Sequence, residues 1–123
     1  MSTMQELRAR LERDKAQVLE RLELLRVDGE NAEEARDGSP FANREDEATE
    51  AFEMEKRIAM ERSLKDSLAE INRALARFDS GEYGRCELCG NQIERDRLEA
   101  RPQATVCMRC MASQSKSGTG ASQ

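Results

Sequence analysis

The chain contains no histidine and no tryptophan, and aromatic residues make up only 3% of its 123 residues. Without histidine it cannot form a Ser-His-Asp or Cys-His catalytic site, a histidine metal site or a histidine-based pH switch. Scarce aromatic and β-branched residues argue against a large β-sandwich or a doubly wound sheet, whose cores depend on them. Charged residues reach 37%, against about 25% in an average soluble domain, which is typical of long helices.

Long apolar runs and an excess of positive charge are also missing. No segment approaches the roughly 20 apolar residues of a membrane span, and the first residues lack the apolar core of a secretion signal. We therefore expect a cytoplasmic protein that does not associate with membranes. The formal net charge of −5 disfavours nucleic-acid binding, because phosphate contacts require a basic surface. We accordingly expect no direct sequence-specific binding to DNA.

A first long helix is predicted from Met4 to about Arg36. Apolar residues recur at heptad positions, although charged residues interrupt the seam, and this argues for a monomer rather than a long oligomeric coil. Gly29 costs about 1 kcal/mol relative to alanine in a helix, but good helix formers follow it, so we expect the helix to continue. Asp37-Gly38 supplies a stop. The heptad positions are occupied by Leu7, Leu11, Val18, Leu25, Ala32 and Ala35.

A second long helix is predicted to end at about Asp79. Two start signals precede it, namely Ser39-Pro40 and the pair of Asn43 with Asp46, which resembles a capping box. Its later half carries a clean apolar seam, formed by Leu64, Leu68, Ile71, Leu75 and Phe78. Upstream the stripe shifts, as in a stutter, to Ala48, Ala51, Phe52, Ile58 and Ala59.

Two helices with facing seams and a short connection predict an antiparallel coiled-coil hairpin over residues 1–80. Residues 28–55 hold 11 acidic and 2 basic residues, so the turn near residues 37–48 forms an acidic tip. One explanation is structural, because acidic residues favour helix N-termini. The functional alternative is that a carboxylate on a slender tip reaches a recessed cationic site, such as a metal-bound phosphoryl site, in a partner.

The chain has four cysteines, in two C-x2-C pairs separated by 17 residues: Cys86, Cys89, Cys107 and Cys110. Each pair delivers two thiolates from one tight turn, and four thiolates suit a tetrahedral Zn²⁺ ion. We predict one structural zinc within a module of residues 81–112, with no open position for hydrolytic chemistry. Disulfides or a thioredoxin-like redox pair are disfavoured, because no export signal or βαβ pattern is present. Nearby arginines are candidates to offset the net charge of −2 on the zinc cluster, namely Arg85, Arg101 and Arg109.

Residues 113–123 are polar and rich in glycine and serine, which predicts a flexible tail. The predicted fold is therefore mainly α. It consists of a long antiparallel coiled-coil helical hairpin, a small four-cysteine zinc finger and a flexible C-terminal tail.

Several stretches in and around the finger share a known pattern: Gly84-Arg-Cys-Glu-Leu-Cys-Gly90, Ile93, Arg97-Leu-Glu-Ala-Arg-Pro102, Ala104 and Cys107-Met-Arg-Cys110. Together with the second helix, over about residues 41–111, they resemble the DksA/TraR family of bacterial transcription regulators. The resemblance implies a coiled-coil hairpin joined to a zinc finger. It also implies entry into the secondary channel of RNA polymerase, where the tip approaches the catalytic magnesium. Members alter open-complex stability, often together with guanosine tetraphosphate (ppGpp).

The tip motif of that family, D-x-x-D-x-A, corresponds here to Asn43-Arg-Glu-Asp46-Glu-Ala48. The resemblance thus implies that Asn43, Asp46 and Ala48 are the partner-binding residues of the tip. Asparagine in place of the first aspartate keeps the capping hydrogen bond and loses the charge.

The ppGpp-binding positions of better-known members also carry over by the resemblance. Three positions that are basic in those members fall here at Glu70, Arg101 and Met111, so only one of the three is basic.

The leading hypothesis is a non-enzymatic regulator of transcription initiation, which fits the stringent-response role of the family. The alternatives are a zinc-ribbon module for protein interaction and a scaffold whose zinc site senses oxidants. A nucleic-acid-binding ribbon is disfavoured, because residues 81–123 have a net charge of only +1 (6 basic minus 5 acidic residues) and few aromatics for base stacking.

Overall fold

The computed structural model describes the backbone of residues 2–37 and 44–120, and the side chains of residues 2–34 and 47–114. These residues form four helices and one isolated antiparallel bridge, so the prediction of a mainly α fold is confirmed. The helices are α1 (Met4–Asp37), α2 (Arg44–Asp79), α3 (Arg95–Ala100) and α4 (Met108–Gly120). Within the described residues, no helix combines the length and apolar character needed to cross a membrane.

The chain divides into two compact units, and α1 and α2 run antiparallel in each of them. One unit comprises Met1–Lys15 with Ala69–Gln123, and the other comprises Ala16–Leu68. In the first unit, an Arg8 nitrogen lies 3.0 Å from a carboxylate oxygen of Asp79, so the start of α1 meets the end of α2. In the second unit, residues 21–25 line a groove with residues 60–64, and residues 25–33 line another with residues 54–61. The predicted hairpin of two helices is thus confirmed.

The two helices bury less of their apolar residues than the sequence suggests. Leu7 and Leu11 of α1 are fully buried, and Ile71 and Ala74 of α2 are nearly or fully buried. The stripe predicted upstream in α2 is exposed instead, with Phe52 at 64% and Ile58 at 48% of their accessible surface. Its prediction as a seam was wrong, because a helix packed against one other helix buries only a narrow stripe.

Local chemistry explains where the long helices begin and end. The hydroxyl of Thr3 accepts a hydrogen bond from the Glu6 N–H over 3.1 Å, which caps the start of α1. After α2, the Gly81 N–H donates to the Phe78 carbonyl and the Glu82 N–H to the Arg77 carbonyl, over 3.1 and 2.8 Å. This is a Schellman motif, and the φ of +76° at Gly81 is the left-handed conformation that it requires.

Helix α4 starts inside the finger, at Met108, and extends into the segment that was predicted as a flexible tail, residues 113–123. It continues to Gly120, and residues 121–123 lie outside the described part of the chain. The described side chains at residues 111–114 are exposed, so little packing supports the helix there.

Gly29 provides a test of the helical continuity of α1. Its backbone is helical, and an added Cβ would lie 3.9 Å from the Arg57 Nε, an ordinary contact distance. We expect Gly29→Ala to raise the free energy of unfolding by about 1 kcal/mol, because glycine is a poor helix former. Denaturant unfolding followed by far-ultraviolet circular dichroism measures this change.

Gly81→Ala is the matched control. Nothing lies within 4 Å of an added Cβ there, so only the positive φ opposes the substitution. We expect a loss of about 1–2 kcal/mol, the cost of a left-handed conformation for alanine. A decrease in stability for Gly29→Ala would contradict the expectation and indicate that the contact with Arg57 dominates.

Candidate metal centre

The first cysteine pair lies in a small hairpin after α2. Arg85 and Gln92 form an antiparallel bridge, and the Cys86 N–H donates to the Asn91 carbonyl over 2.8 Å. The Gly90 N–H closes the turn on the Cys86 carbonyl over 3.0 Å, and Gly90 has a φ of +78°. Glycine adopts this conformation without the Cβ clash of other residues. The turn therefore brings the sulfur atoms of Cys86 and Cys89 within 4.8 Å of each other.

The second cysteine pair lies at the start of α4. The Met111 N–H donates to the Cys107 carbonyl over 2.9 Å, so the helix begins at the pair itself. A carboxylate oxygen of Glu94 accepts a hydrogen bond from the Met108 N–H over 3.2 Å. Its own N–H and then that of Met108 lower the pKa of Glu94. Glu94 therefore contributes an ionised carboxylate at the N-terminus of α4, where the helix dipole favours it.

The four sulfur atoms converge within 4.8 Å of one another, although no contact between the two pairs is local in sequence. Cys89 and Cys107, one from each pair, have their sulfurs 3.8 Å apart. A tetrahedron with Zn–S bonds of about 2.3 Å has sulfur–sulfur edges of about 3.8 Å, so the cluster matches the size of a zinc site. Cys86 and Cys107 are buried and Cys89 is exposed. The arrangement supports one structural zinc with four thiolate ligands.

The protonation of the metal-free cluster is uneven. Burial raises the pKa of Cys86, but the N–H groups of Cys107, Cys89 and Leu88 outweigh it and bring the pKa down to about 6. The Leu88 N–H lies 3.4 Å from the Cys86 sulfur. For Cys110, the hydrogen bond with the Cys107 sulfur and then burial raise the pKa to about 12. Because zinc binds thiolates, loading the site must release protons.

The finger shares one apolar core with the helix ends of its own unit. Its buried residues are Leu7, Cys86, Ile93, Leu98, Ala104, Val106 and Cys107. The rings of Phe78 and Tyr83 stack with centroids 3.8 Å apart and planes 12° apart. The Tyr83 hydroxyl donates to the Pro102 carbonyl over 2.8 Å. The cysteine pairs are therefore held by packing as well as by the turns.

The arginines that the sequence suggested for charge compensation do not behave alike. The guanidinium of Arg101 lies 3.3 Å from the carboxylate of Glu70. Arg85 contributes its carbonyl, which accepts a hydrogen bond from Arg77 over 2.8 Å. Arg97 donates to a finger carbonyl in a similar way. The sequence did not indicate that Arg77 contacts the finger, nor that Arg97 holds a carbonyl within it, because nothing in a local pattern reveals contacts made eight or nine residues away.

The tip residues implied by the resemblance fall at the edge of the described chain. Asn43 lies outside the described residues. Asp46 lies in α2, but its side chain is not described, and Ala48 is exposed on α2. The assignment of these three residues to partner binding therefore stays a prediction.

Comparisons with known proteins agree with this geometry. Residues 81–115 match the family model described as the prokaryotic dksA/traR C4-type zinc finger. The chain is 43% identical over 61 residues to YteA of Bacillus subtilis, across 50% of this chain and 26% of that protein. It is 31% identical over 70 residues to the RNA polymerase-binding transcription factor DksA of Haemophilus influenzae, across 57% of this chain and 48% of that protein.

A solved structure extends the similarity to the helices. Transcription factor DksA2 from Pseudomonas aeruginosa superposes with a TM-score of 0.77 at 25% identity, over 94% of this chain and 84% of that one. The chain spans about a quarter to a half of the length of the curated relatives named above.

Fold and site together define a C4-type zinc-finger protein built on a two-helix hairpin. Residues 81–115 carry the zinc finger of the DksA/TraR family, and the fold of the chain is similar to that of DksA2.

Tyr83 is the only tyrosine of a chain without tryptophan, so its ionisation is directly observable. Burial raises its pKa to about 12, although Arg95 and Arg10 oppose the shift. An unperturbed tyrosine has a pKa of about 10. We expect the tyrosinate absorbance of the folded protein to appear about two pH units later than that of the chain in denaturant.

The stability effect of Tyr83 has a definite sign. Because the folded pKa is raised, its contribution is complete below the unfolded pKa and is lost as the pH rises from about 10 towards about 12. Absorbance of tyrosinate near pH 10 in the folded protein would contradict the buried, hydrogen-bonded position of the ring.

Proposed function

We propose that this chain is a non-enzymatic regulator that binds RNA polymerase through its secondary channel and modulates transcription initiation. In this proposal the turn between α1 and α2 enters the channel, and Asp46, with Asn43 and Ala48, acts close to the catalytic magnesium. The zinc finger fixes the bases of the two helices. The protein then works in the cytoplasm, where the polymerase is.

The observation that carries the proposal is the combination of hairpin and finger in one structural match. DksA2, whose name describes a transcription factor, is similar to 94% of the length of this chain. The similarity therefore includes both helices as well as the finger. The curated relative from Haemophilus influenzae carries RNA polymerase binding in its name. A zinc ribbon of a different class would be expected to share the finger alone.

The chemistry of the chain supports a binding role in preference to catalysis. Four cysteine ligands fill the tetrahedral positions of a zinc ion, so the site supplies structure and not an activated water. The residues 28–55 hold 11 acidic and 2 basic residues, and this charge suits a partner site that contains a metal ion and basic side chains.

Competition on the polymerase tests the channel. We expect the zinc-loaded protein to bind bacterial RNA polymerase core with micromolar or tighter affinity, about −8 kcal/mol or stronger, and to be displaced by a known secondary-channel factor. Asp46→Asn removes the proposed tip charge without removing the helix. We expect this variant to bind the polymerase as tightly as the wild type does. Its effect on open-complex lifetime should be at least about tenfold smaller than that of the wild type.

Asp66→Asn is the matched control, because Asp66 is an exposed aspartate of the same helix outside the tip. It should leave both binding and open-complex lifetime unchanged. Full regulatory activity of the Asp46→Asn variant would refute the tip assignment. Failure of the folded, zinc-loaded wild type to bind the polymerase would refute the channel proposal and favour a scaffold or redox role.

The response to ppGpp is expected to be weak in this chain. The one basic residue that the family resemblance assigns to nucleotide binding, Arg101, lies 3.3 Å from Glu70, and both side chains are about half exposed (53%). A phosphate would have to displace this carboxylate. An exposed ion pair is worth about 0.2–1 kcal/mol. The ion pair of Glu70 with Arg101 therefore weakens phosphate binding to Arg101 by no more than this amount.

Glu70→Gln removes the competing charge. In polymerase complexes we expect it to shift the ppGpp concentration for half-maximal response downwards by up to about fivefold, the equivalent of 1 kcal/mol. Glu61→Gln is the control, since Glu61 forms a comparable ion pair with Lys65 elsewhere on α2. A response that is equal in wild type and Glu70→Gln would show that Glu70 does not limit access to Arg101.

A further inference from the structure

Two arginines far apart in the sequence make the same contact in the finger. The Arg77 Nη2 donates to the carbonyl oxygen of Arg85 over 2.8 Å. The Arg97 Nε donates to the carbonyl oxygen of Val106 over 2.9 Å. Each accepting residue directly precedes the first cysteine of a C-x2-C pair. In both pairs, the backbone carbonyl just before the first cysteine therefore accepts a hydrogen bond from an arginine.

The position of Arg77 is unfavourable in isolation. Its side chain keeps only 15% of its exposure, and its Nε is buried without a hydrogen-bond partner among the described residues. A buried unsatisfied donor costs free energy, because its solvation is lost without replacement. The retained guanidinium must therefore be stabilised by its surroundings, and those surroundings are acidic.

Two carboxylates lie beside Arg77, namely that of Glu82, 3.6 Å from its Nη1, and that of Glu87, which belongs to the first cysteine pair. Glu87 lies between Cys86 and Cys89. One carboxylate oxygen of Glu87 lies 3.7 Å from Nη1 of Arg77, and the other lies 3.7 Å from Nη1 of Arg73. Four thiolates on Zn²⁺ carry a net charge of −2, so Glu87 adds negative charge next to an anion. Arg77 offsets both.

The second cysteine pair also has a glutamate and an arginine beside it, namely Glu94 and Arg97. Glu94 accepts a hydrogen bond from the N–H of Met108, which lies between the two cysteines of that pair. Arg97 thus holds the carbonyl before the second pair as Arg77 holds the carbonyl before the first. Its Nη1 also lies 3.0 Å from the sulfur of Met108.

We propose that Arg77 and Arg97 are positioning residues of the zinc site, one for each cysteine pair. Each fixes the carbonyl before the first ligand and supplies a positive charge that offsets the thiolates and the carboxylate beside them. Since Arg77 belongs to α2, the proposal also makes zinc affinity depend on the end of that helix. It rests on the metal site alone and holds whatever the partner of the protein is.

Zinc affinity measured by competition with a chromogenic chelator tests the proposal. We expect Arg77→Met and Arg97→Met each to weaken zinc binding about tenfold, within the 10–100-fold range for residues that support metal ligands. Arg62→Met is the control, because Arg62 is an exposed arginine of α2 in the other unit. It should bind zinc as the wild type does.

Removing the carboxylate separates the charge from the hydrogen bond. Glu87→Gln alone should bind zinc at least as tightly as the wild type. Combined with Arg77→Met, it should recover most of the tenfold loss. If Arg77 acted only through its hydrogen bond to the Arg85 carbonyl, the double variant would not recover zinc affinity, because Glu87→Gln does not restore that hydrogen bond. The spectrum of the Co²⁺-substituted variants should keep the bands of a four-sulfur tetrahedral site.

Three results would overturn the proposal. They are wild-type zinc affinity in both methionine variants, absence of recovery in the Arg77→Met/Glu87→Gln combination, and weaker binding by Glu87→Gln alone. Arg77→Lys covers the case in which Arg77→Met does not fold. It keeps the charge, so it should lose less than about threefold in affinity, and a tenfold loss would contradict the electrostatic role.

Discussion

The convergence of four cysteine sulfurs is the constraint on which the finger and the adjoining helix ends depend. Little else in this part of the chain could hold it, because the chain has few aromatic residues and the shared core is small. Two of the sulfurs, those of Cys86 and Cys107, are themselves members of that core. Metal binding and apolar packing are consequently one event, as in small domains whose folding free energy comes largely from zinc.

The same cluster creates an electrostatic problem that the surrounding residues solve. Four thiolates, Glu87 and Glu94 concentrate negative charge in a few turns of backbone. N–H groups directed at sulfur relieve part of it, such as that of Leu88, which lies 3.4 Å from the Cys86 sulfur. Arginines relieve the rest, and they come from α2 and α3, outside the turns that carry the ligands. The stability of the finger thus involves helices that contribute no ligand.

Sequence patterns captured what is local and missed what is not. Spacing of cysteines predicted the metal cluster, and the sequence pattern predicted both ends of α1 and the end of α2 within a residue of their observed positions. The exposed stripe containing Phe52 was misjudged, because apolar spacing shows which residues share a face and not whether a second helix covers it. The extent of α4 as far as Gly120 was not predicted, because residues 113–123 are polar and rich in glycine and serine. The contacts of Arg77 and Arg97 depend on the tertiary fold and leave no local pattern.

The start of α1 contacts the zinc finger directly within their common unit. The Ser2 N–H donates to a carboxylate oxygen of Glu99 in α3 over 2.6 Å, and Arg10 donates to the Glu99 carbonyl over 2.8 Å. Leu7, one turn further on, is buried in the finger core. The start of α1 and the end of α2 therefore both meet the zinc finger, through the apolar residues Leu7 and Phe78 and through partly exposed polar contacts of α1. Loss of the metal would remove the support of both helix ends at once, so the finger acts as the clamp that keeps α1 and α2 paired in this unit.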